Sequence, residues 1–251
     1  MTAQTSSRQR LDQAMVARGL AETRARARDA ITRGHVTVDG AVASKPGQPV
    51  ANDAEISCSD PASSYVSRAA LKLVGGLEHF GYDPTNCIAL DLGASTGGFT
   101  QVLLERGALR VHAIDVGHGQ LHALLADDAR VHALEGINAR ALTFEDLGEA
   151  PQVVVSDLSF ISLKLALDPA LALAAPGAWG IFLVKPQFEV GKADIGKGGI
   201  VRDPVRAHEA AEEIAAWLEG RHRWRVKGLV PSPISGGDGN REYLLGARKE
   251  G

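Results

Sequence analysis

Apolar positions along this chain follow two different rhythms. In the first sixty residues they recur three and four apart, as at Leu11, Ala14 and Met15 and again at Ala27, Ala30 and Ile31. That spacing predicts two short helices, separated at Gly19-Leu20, with Glu22-Thr23 opening the second and Gly34 closing it. His35–Val38, the turn Asp39-Gly40 and Val42 then read as a small hairpin, and a last strand lies near Glu55–Cys58, after Pro46, Gly47 and Pro49. Asp60–Ser64 has linker composition. Beyond it, short continuous apolar runs alternate with helical spacing. A helix over Ser67–Phe80 leads to the run Ile88–Leu90. Further strands are predicted at Val111–Asp115, Val131–Glu135, Val153–Asp157, Gly180–Lys185, Trp224–Val230 and Glu242–Gly246. Helices are predicted over Thr100–Arg106 and near Gln120–Leu125, Lys164–Ala174 and Pro204–Glu219. The pattern predicts an α/β protein with a mostly parallel, doubly wound Rossmann-like sheet over residues 67–251, a linker at 61–66 and a small α+β module over 1–60.

Composition narrows the classes. At 251 residues and 45% hydrophobic content the chain suits one α/β domain plus a small module. The longest apolar run, Leu165–Ala175, is interrupted by Asp168 and Pro169 and falls short of a membrane span. The opening MTAQTSSRQR has no apolar segment of the secretory kind. Cys58 and Cys87 sit far apart without histidines at metal spacing, so neither a disulfide framework nor a zinc site is expected, and a reducing cytoplasm is. The net charge of −3 conceals an uneven distribution. Arg8, Arg10, Arg18, Arg24, Arg26, Arg28 and Arg33 crowd the start, opposed there by Asp12, Glu22 and Asp29. A basic module joined to a neutral one suits a nucleic-acid reader attached to an enzyme, the alternative being a solvated helical face.

The chemistry gathers where strands end. Ile88-Ala89-Leu90 runs into Asp91-Leu-Gly93-Ala-Ser95-Thr-Gly97-Gly98-Phe99, a turn whose glycines let the backbone approach a ligand closely. Asp115 closes the next strand, where a βαβ unit sets a carboxylate beside the ribose of a nucleoside. Ser95 stands where the NAD fingerprint wants its second glycine, and the lysine of a phosphate-binding loop is missing. The Asp-x-Gly-x-x-x-Gly form suits S-adenosylmethionine; a glycine-rich turn that binds nothing is the alternative. Later strand ends carry Glu135 with Asn138 just beyond, then Asp157, then Lys185. A lysine ending a buried strand is costly unless paired or used. Asp157-Leu158-Ser159-Phe160 lacks the prolines typical of amino-group methyltransferases, and no cysteine lies near the cofactor turn. Lysine and carboxylate together suit a ribose hydroxyl.

Two resemblances sharpen this reading. Arg10-Leu11-Asp12 through Asp39-Gly40, ending in Gly34-x-Val-x-Val38-Asp-Gly40, resembles the S4 RNA-binding domain. The resemblance implies RNA contacts by Arg24 and Arg28 and by Arg10 and Arg33. Tyr65-Val-Ser-Arg68-Ala-Ala-Leu-Lys72, Asp91–Phe99, Asp115–Leu121, Ser156–Ser162, Val184–Glu189 and Gly239-Asn-Arg-Glu242-Tyr resemble the TlyA family, which joins an S4 domain to an FtsJ-type methyltransferase. It implies a Lys-Asp-Lys-Glu catalytic tetrad at Lys72, Asp157, Lys185 and Glu242. Asp91, Gly93, Ser95, Gly97, Gly98, Asp115 and Asn138 are expected to hold S-adenosyl-L-methionine, Asn138 at the adenine edge. The implied activity is 2′-O-methylation of cytidine in ribosomal RNA, in the large subunit and for some members also the small. The partner is then ribosomal RNA or a subunit, with no metal and no membrane. The end of the chain soon after Leu245 is expected for the large-subunit type. Ala69-Ala70 and His118 depart from the common glycine and tyrosine. The loop Phe188–Gly199, with Lys192 and Lys197, reads either as an RNA contact or as a loop without a role. Two rivals stay open: a pore-forming haemolysin, a label the family has carried, and an RNA-binding assembly factor without catalysis.

Overall fold

Residues 8–237 and 239–251 are described by a computed structural model, in which the chain divides after Ser64 into two units. In the first, Arg8–Arg10 (β1) runs into Leu11–Ala17 (α1), followed by Arg24–Thr32 (α2). Val36–Val38 (β2) and Ala41–Val42 (β3) form the expected hairpin, with Asp39 and Gly40 both at positive φ as a tight two-residue turn requires. Pro49–Ala51 (β4) pairs antiparallel with β1, and Ile56–Cys58 (β5) flanks β2. Thr23 caps α2, its side chain accepting from the Arg26 amide at 3.2 Å. The six apolar residues that predicted the helices are all buried and form one core with Val36 and Val50. The β1–β4 ribbon was not predicted: strands of three residues, Arg-Gln-Arg against Pro-Val-Ala, carry no apolar alternation.

The second unit opens with Ala70–Phe80 (α3), Ile88–Leu92 (β6), Gly98–Glu105 (α4) and Arg110–Asp115 (β7). Ala123–Ala126 (α5), Val131–Glu135 (β8), Phe144–Leu147 (α6) and Val153–Ser156 (β9) follow. The chain closes with Leu163–Ala166 (α7), Asp168–Leu173 (α8), Trp179–Val184 (β10), Pro204–Leu218 (α9), Trp224–Pro231 (β11) and Tyr243–Lys249 (β12). Three helices differ from expectation. The first starts at Ala70 because Ser67 folds into a turn, its hydroxyl accepting from the Ala69 amide at 3.2 Å. The segment near Gln120–Leu125 is helical only from Ala123, where the His122 ring caps the Leu124 amide at 3.3 Å. The stretch Lys164–Ala174 is two helices, since Pro169 has no amide to continue α7 and instead sits in the first turn of α8.

The seven strands run in the order β11-β12-β10-β9-β6-β7-β8. Those from β10 to β8 are mutually parallel, while β12 lies antiparallel between β10 and β11. Side chains alternate across β9, so Val153 and Val155 enter one core with Val111 and Ile181, and Val154 enters the other with Leu90 and Phe182. Strand order reverses between β6 and β9, which opens a crevice beyond their carboxyl ends. Among the described residues no helix is long and apolar enough to cross a membrane.

Candidate active site

Neighbouring strands deliver the central charges. Phe182 on β10 pairs with Ser156 on β9, so Asp157 and Lys185, just past those strands, leave the sheet side by side. The Lys185 Nζ lies 2.6 Å from Asp157 Oδ1 and donates to Ser159 Oγ at 2.8 Å. Because β12 runs antiparallel to β10, with Tyr243 opposite Val184, its first residues arrive at the same end and bring Glu242 there. Helix α3 supplies Lys72 from above. A Cβ on Gly76 would sit 3.1 Å from Ile181 and 3.5 Å from Leu244, so glycine lets α3 press closely onto β10 and β12. One turn earlier, the Lys72 Nζ reaches Glu242 Oε2 at 2.6 Å and Asp157 Oδ2 at 3.8 Å. Glu242 in turn needs Gly236 opposite it, where a Cβ would fall 2.6 Å from Oε1.

The four predicted tetrad residues therefore form one alternating chain of charge, Glu242–Lys72–Asp157–Lys185. Lys72, Lys185 and Glu242 are 6%, 9% and 4% exposed. Burying charges is tolerated only when they compensate each other, and each ammonium here has a carboxylate against it.

Two adjoining clefts flank this chain. The larger, about 330 Å³, is lined by Gly93, Ser95, Asp115, Ile137, Ala139 and Phe160 among others, and lies at the reversal of strand order. The smaller, about 180 Å³, is lined by Ser67, Gly98, Asp157, Ser159 and Lys185 and shares Gly93 and Ser95 with the first. Gly93 has φ +79° and faces the Asp157 carbonyl, which a Cβ would meet at 2.9 Å. Asp115 ties the turns together: Oδ2 accepts from the Ser95 amide and Oδ1 from the Gly117 amide, both at 2.8 Å. Each oxygen keeps a lone pair for a hydroxyl donor.

Other predicted cofactor residues take different positions. Asp91 is fully buried beneath the turn, where Oδ2 accepts from Thr100 Oγ1 at 2.7 Å and Oδ1 has no hydrogen-bond partner. Burial pushes its carboxyl up to about 7, with Asp157 adding to the effect. Gly97, at φ +96°, is a packing glycine outside the lining of both clefts; its Cβ would meet Leu125 and Leu121 at 2.3 and 2.8 Å. The Asn138 side chain accepts from the Arg140 amide at 3.1 Å and caps a short turn, so its neighbours Ile137 and Ala139 line the cleft instead. A strand-end position shows where a residue lies along the chain, and an asparagine after a strand has its own backbone as a competing partner.

Reading the sequence missed Ser159 and the aromatic pair beside it. Phe160 is 91% exposed, stands at positive φ and lies 5.2 Å from the Phe188 ring, at the mouth of the larger cleft. The signal for Ser159 was its place two residues after Asp157, just beyond the end of β9.

In the first unit the basic face divides by role. Asp12, fully buried, takes Arg10 Nε at 3.0 Å and Arg24 Nη2 at 3.2 Å, and the hydrogen bond from Arg10 holds its carboxyl down at about 2. Both arginines remain about half exposed. Arg33 is drawn inward, bonded to Asp29 at 2.9 Å and to Asp60 at 2.5 Å with 16% exposure. Arg28 stands exposed on α2.

The architecture matches known families. The S4 domain matches residues 9–56 and the FtsJ-like methyltransferase domain residues 65–249. The chain is 44% identical over 244 residues to the 16S/23S rRNA (cytidine-2′-O)-methyltransferase TlyA of Mycobacterium tuberculosis, covering 97% of this chain and 91% of that one. It is 39% identical over 237 residues to Hemolysin A of Brachyspira hyodysenteriae, covering 94% and 98%. A Streptococcus thermophilus protein, solved under the name hemolysin, superposes with a TM-score of 0.75 at 37% identity over 98% of this chain and 90% of its own. With both domains matched in order and relatives of this similarity along nearly its whole length, the chain belongs to the TlyA family of S4-domain methyltransferases.

Proposed function

We propose that this protein methylates the ribose 2′-oxygen of a cytidine in ribosomal RNA with S-adenosylmethionine as methyl donor, and that it works in the cytoplasm. The large-subunit RNA is the first substrate to test and the small-subunit RNA the second, since the mycobacterial relative is named for both. The observation that carries the reading is the buried alternation Glu242–Lys72–Asp157–Lys185 beside two joined clefts.

The clefts fit a nucleoside carrying a charged tail. Asp115 offers spare lone pairs to ribose hydroxyls, Gly93 and Ser95 line both chambers, and the unpartnered Asp91 Oδ1 lies beneath the turn between them. When bound, S-adenosylmethionine supplies an electrophilic methyl group and leaves as a neutral thioether. The protein has to align a ribose hydroxyl with that methyl and stabilise negative charge growing on its oxygen. Lys185, paired with Asp157 at 2.6 Å, provides the stabilisation, and the hydroxyl proton passes to water in the open cleft. Lys72 and Glu242 keep Asp157 oriented and the network neutral. Alignment contributes most of the remaining acceleration. Phe160, exposed at the mouth, offers a face for stacking a base drawn from single-stranded or unstacked RNA. In the S4 unit, Arg10, Arg24 and Arg28 supply phosphate contacts that orient the RNA.

Single-turnover transfer to RNA carrying cytidine or 2′-deoxycytidine at the target tests the reaction type. Wild-type protein should leave the deoxy substrate unmodified, and Lys185→Ala should lose transfer by roughly a thousandfold while cofactor affinity is kept. Transfer to the deoxy substrate would sink the ribose assignment. Lysis of cofactor-free liposomes by the purified protein would favour the pore-forming reading instead.

A further inference from the structure

An ammonium group has three N–H bonds to place. In this structure Lys185 donates one of them to Ser159 Oγ at 2.8 Å, while Asp157 Oδ1 lies 2.6 Å from Nζ as an ion-pair contact outside hydrogen-bond geometry. Both partners come from the segment after β9, two residues apart: Asp157 holds the ammonium by charge, and the Ser159 hydroxyl sets the rotation of Nζ about its bond to Cε. Asp157 alone would leave the ammonium free to swivel about the ion-pair axis. The directed bond to Ser159 fixes that rotation, and with it where the other N–H bonds point. Lys185, Asp157 and Ser159 all line the smaller cleft, and Asp157 and Ser159 also line the larger one.

We propose that Ser159 is a positioning residue for methyl transfer: its hydroxyl fixes the Lys185 ammonium so that one of the remaining N–H bonds points to the ribose 2′-oxygen. This rests on the reading of Lys185 as the group that acts on that oxygen. Of the charges in the network, Asp157 after β9 pairs with Lys185 directly, while Lys72 on α3 and Glu242 before β12 are linked to it through Asp157. None of them offers Lys185 a neutral acceptor, and Ser159 does so without altering the charge balance of the network. Ser159 itself is exposed in the cleft, so its hydroxyl is not needed to fill a core. Removing it releases one N–H to rotate or to seek Asp157, at little expense to folding.

Ser159→Ala and Ser159→Thr test the proposal against the wild type in single-turnover transfer to ribosomal RNA, with KM for RNA and calorimetric Kd for S-adenosylmethionine measured alongside. Misdirecting a catalytic group by about an ångström costs up to roughly a hundredfold in rate, so Ser159→Ala should slow transfer about ten- to a hundredfold. KM and Kd should stay within about twofold, as expected when the lost interaction matters mainly in the transition state. Ser159→Thr keeps the hydroxyl, the open cleft has room for its methyl, and it should recover to within about threefold of wild type. An Ala variant within twofold of wild type overturns the proposal, as does a loss residing in KM or Kd, or a Thr variant as slow as Ala. Wild-type protein that also methylates the deoxy substrate overturns the ribose reading beneath it, whatever the Ser159 variants do. Wild-type protein inert on ribosomal RNA removes both.

Discussion

The Lys72 ammonium lies 2.6 Å from Glu242 and joins a helix to the start of a strand 170 residues further along, with both side chains almost fully buried. Its second carboxylate, that of Asp157, lies 3.8 Å away. Lys72 thus bridges two acids, and its loss would leave one of them without a counter-charge.

That bridge separates structure from chemistry. Lys72→Met should destabilise the second unit by about 3–5 kcal/mol, because Glu242 stays buried without its partner. The double variant Lys72→Met/Glu242→Leu replaces both charges with apolar groups and should recover most of that loss while transfer stays absent. Denaturant melts and single-turnover assays on the same samples check both halves. A double variant as unstable as the single one would show that packing, and not charge, dominates here.

Asp91 makes stability fall with rising pH. Its folded carboxyl, at about 7, lies above its ordinary value of 3.8, so between those limits the folded state holds a proton that the unfolded state has released. The contribution is therefore intact below pH 4, declines as pH rises toward 7, and is fully lost above it. Asp91→Asn removes the titration and keeps an acceptor for Thr100. Its stability relative to wild type should improve from pH 5 to pH 8 by a few kcal/mol, on the order of 1.4 per pH unit. Melting temperatures across that range provide the check, and parallel curves for the two proteins would refute it.

Three of the four arginines expected to contact RNA should behave unequally. Arg28→Ala should weaken RNA binding and lower the salt dependence by about one counterion, with the melting temperature unchanged. Arg33→Ala should do the reverse, since its guanidinium is engaged by Asp29 and Asp60. Arg24→Ala should show both effects, because that residue is half exposed and also pairs with the buried Asp12. Filter-binding titrations over a range of salt, read beside thermal melts, distinguish the classes. An equal loss of affinity in Arg28→Ala and Arg33→Ala would contradict this division.

Much of the site was legible because it sits at strand ends. Asp157 and Lys185 each follow a continuous apolar run, and parallel neighbours must release their ends on one side of a sheet. Asp115 and the Gly93 turn were readable for the same reason. Lys72 and Glu242 were not: each looks like an ordinary surface charge, and only the resemblance singled them out. Other expected site residues are engaged within the protein itself. Asn138 bonds to its own backbone, Gly97 accommodates leucines, and Arg33 is held by two aspartates.

Apolar periodicity, glycine-rich turns and the clustering of arginines by themselves determined two modules, an alternating α/β order and a chain of charged strand ends. These are local properties, set by the backbone preferences and solvation of neighbouring residues. The tertiary structure alone decided which charges meet. Lys72 reaches Glu242 because Gly76 lets α3 settle closely onto β10 and β12, and because β12 enters the sheet antiparallel, with its first residues at the end of the sheet where Asp157 and Lys185 emerge. That pairing depends on a crossing distance and a strand direction between segments far apart in the chain, and no local pattern encodes either.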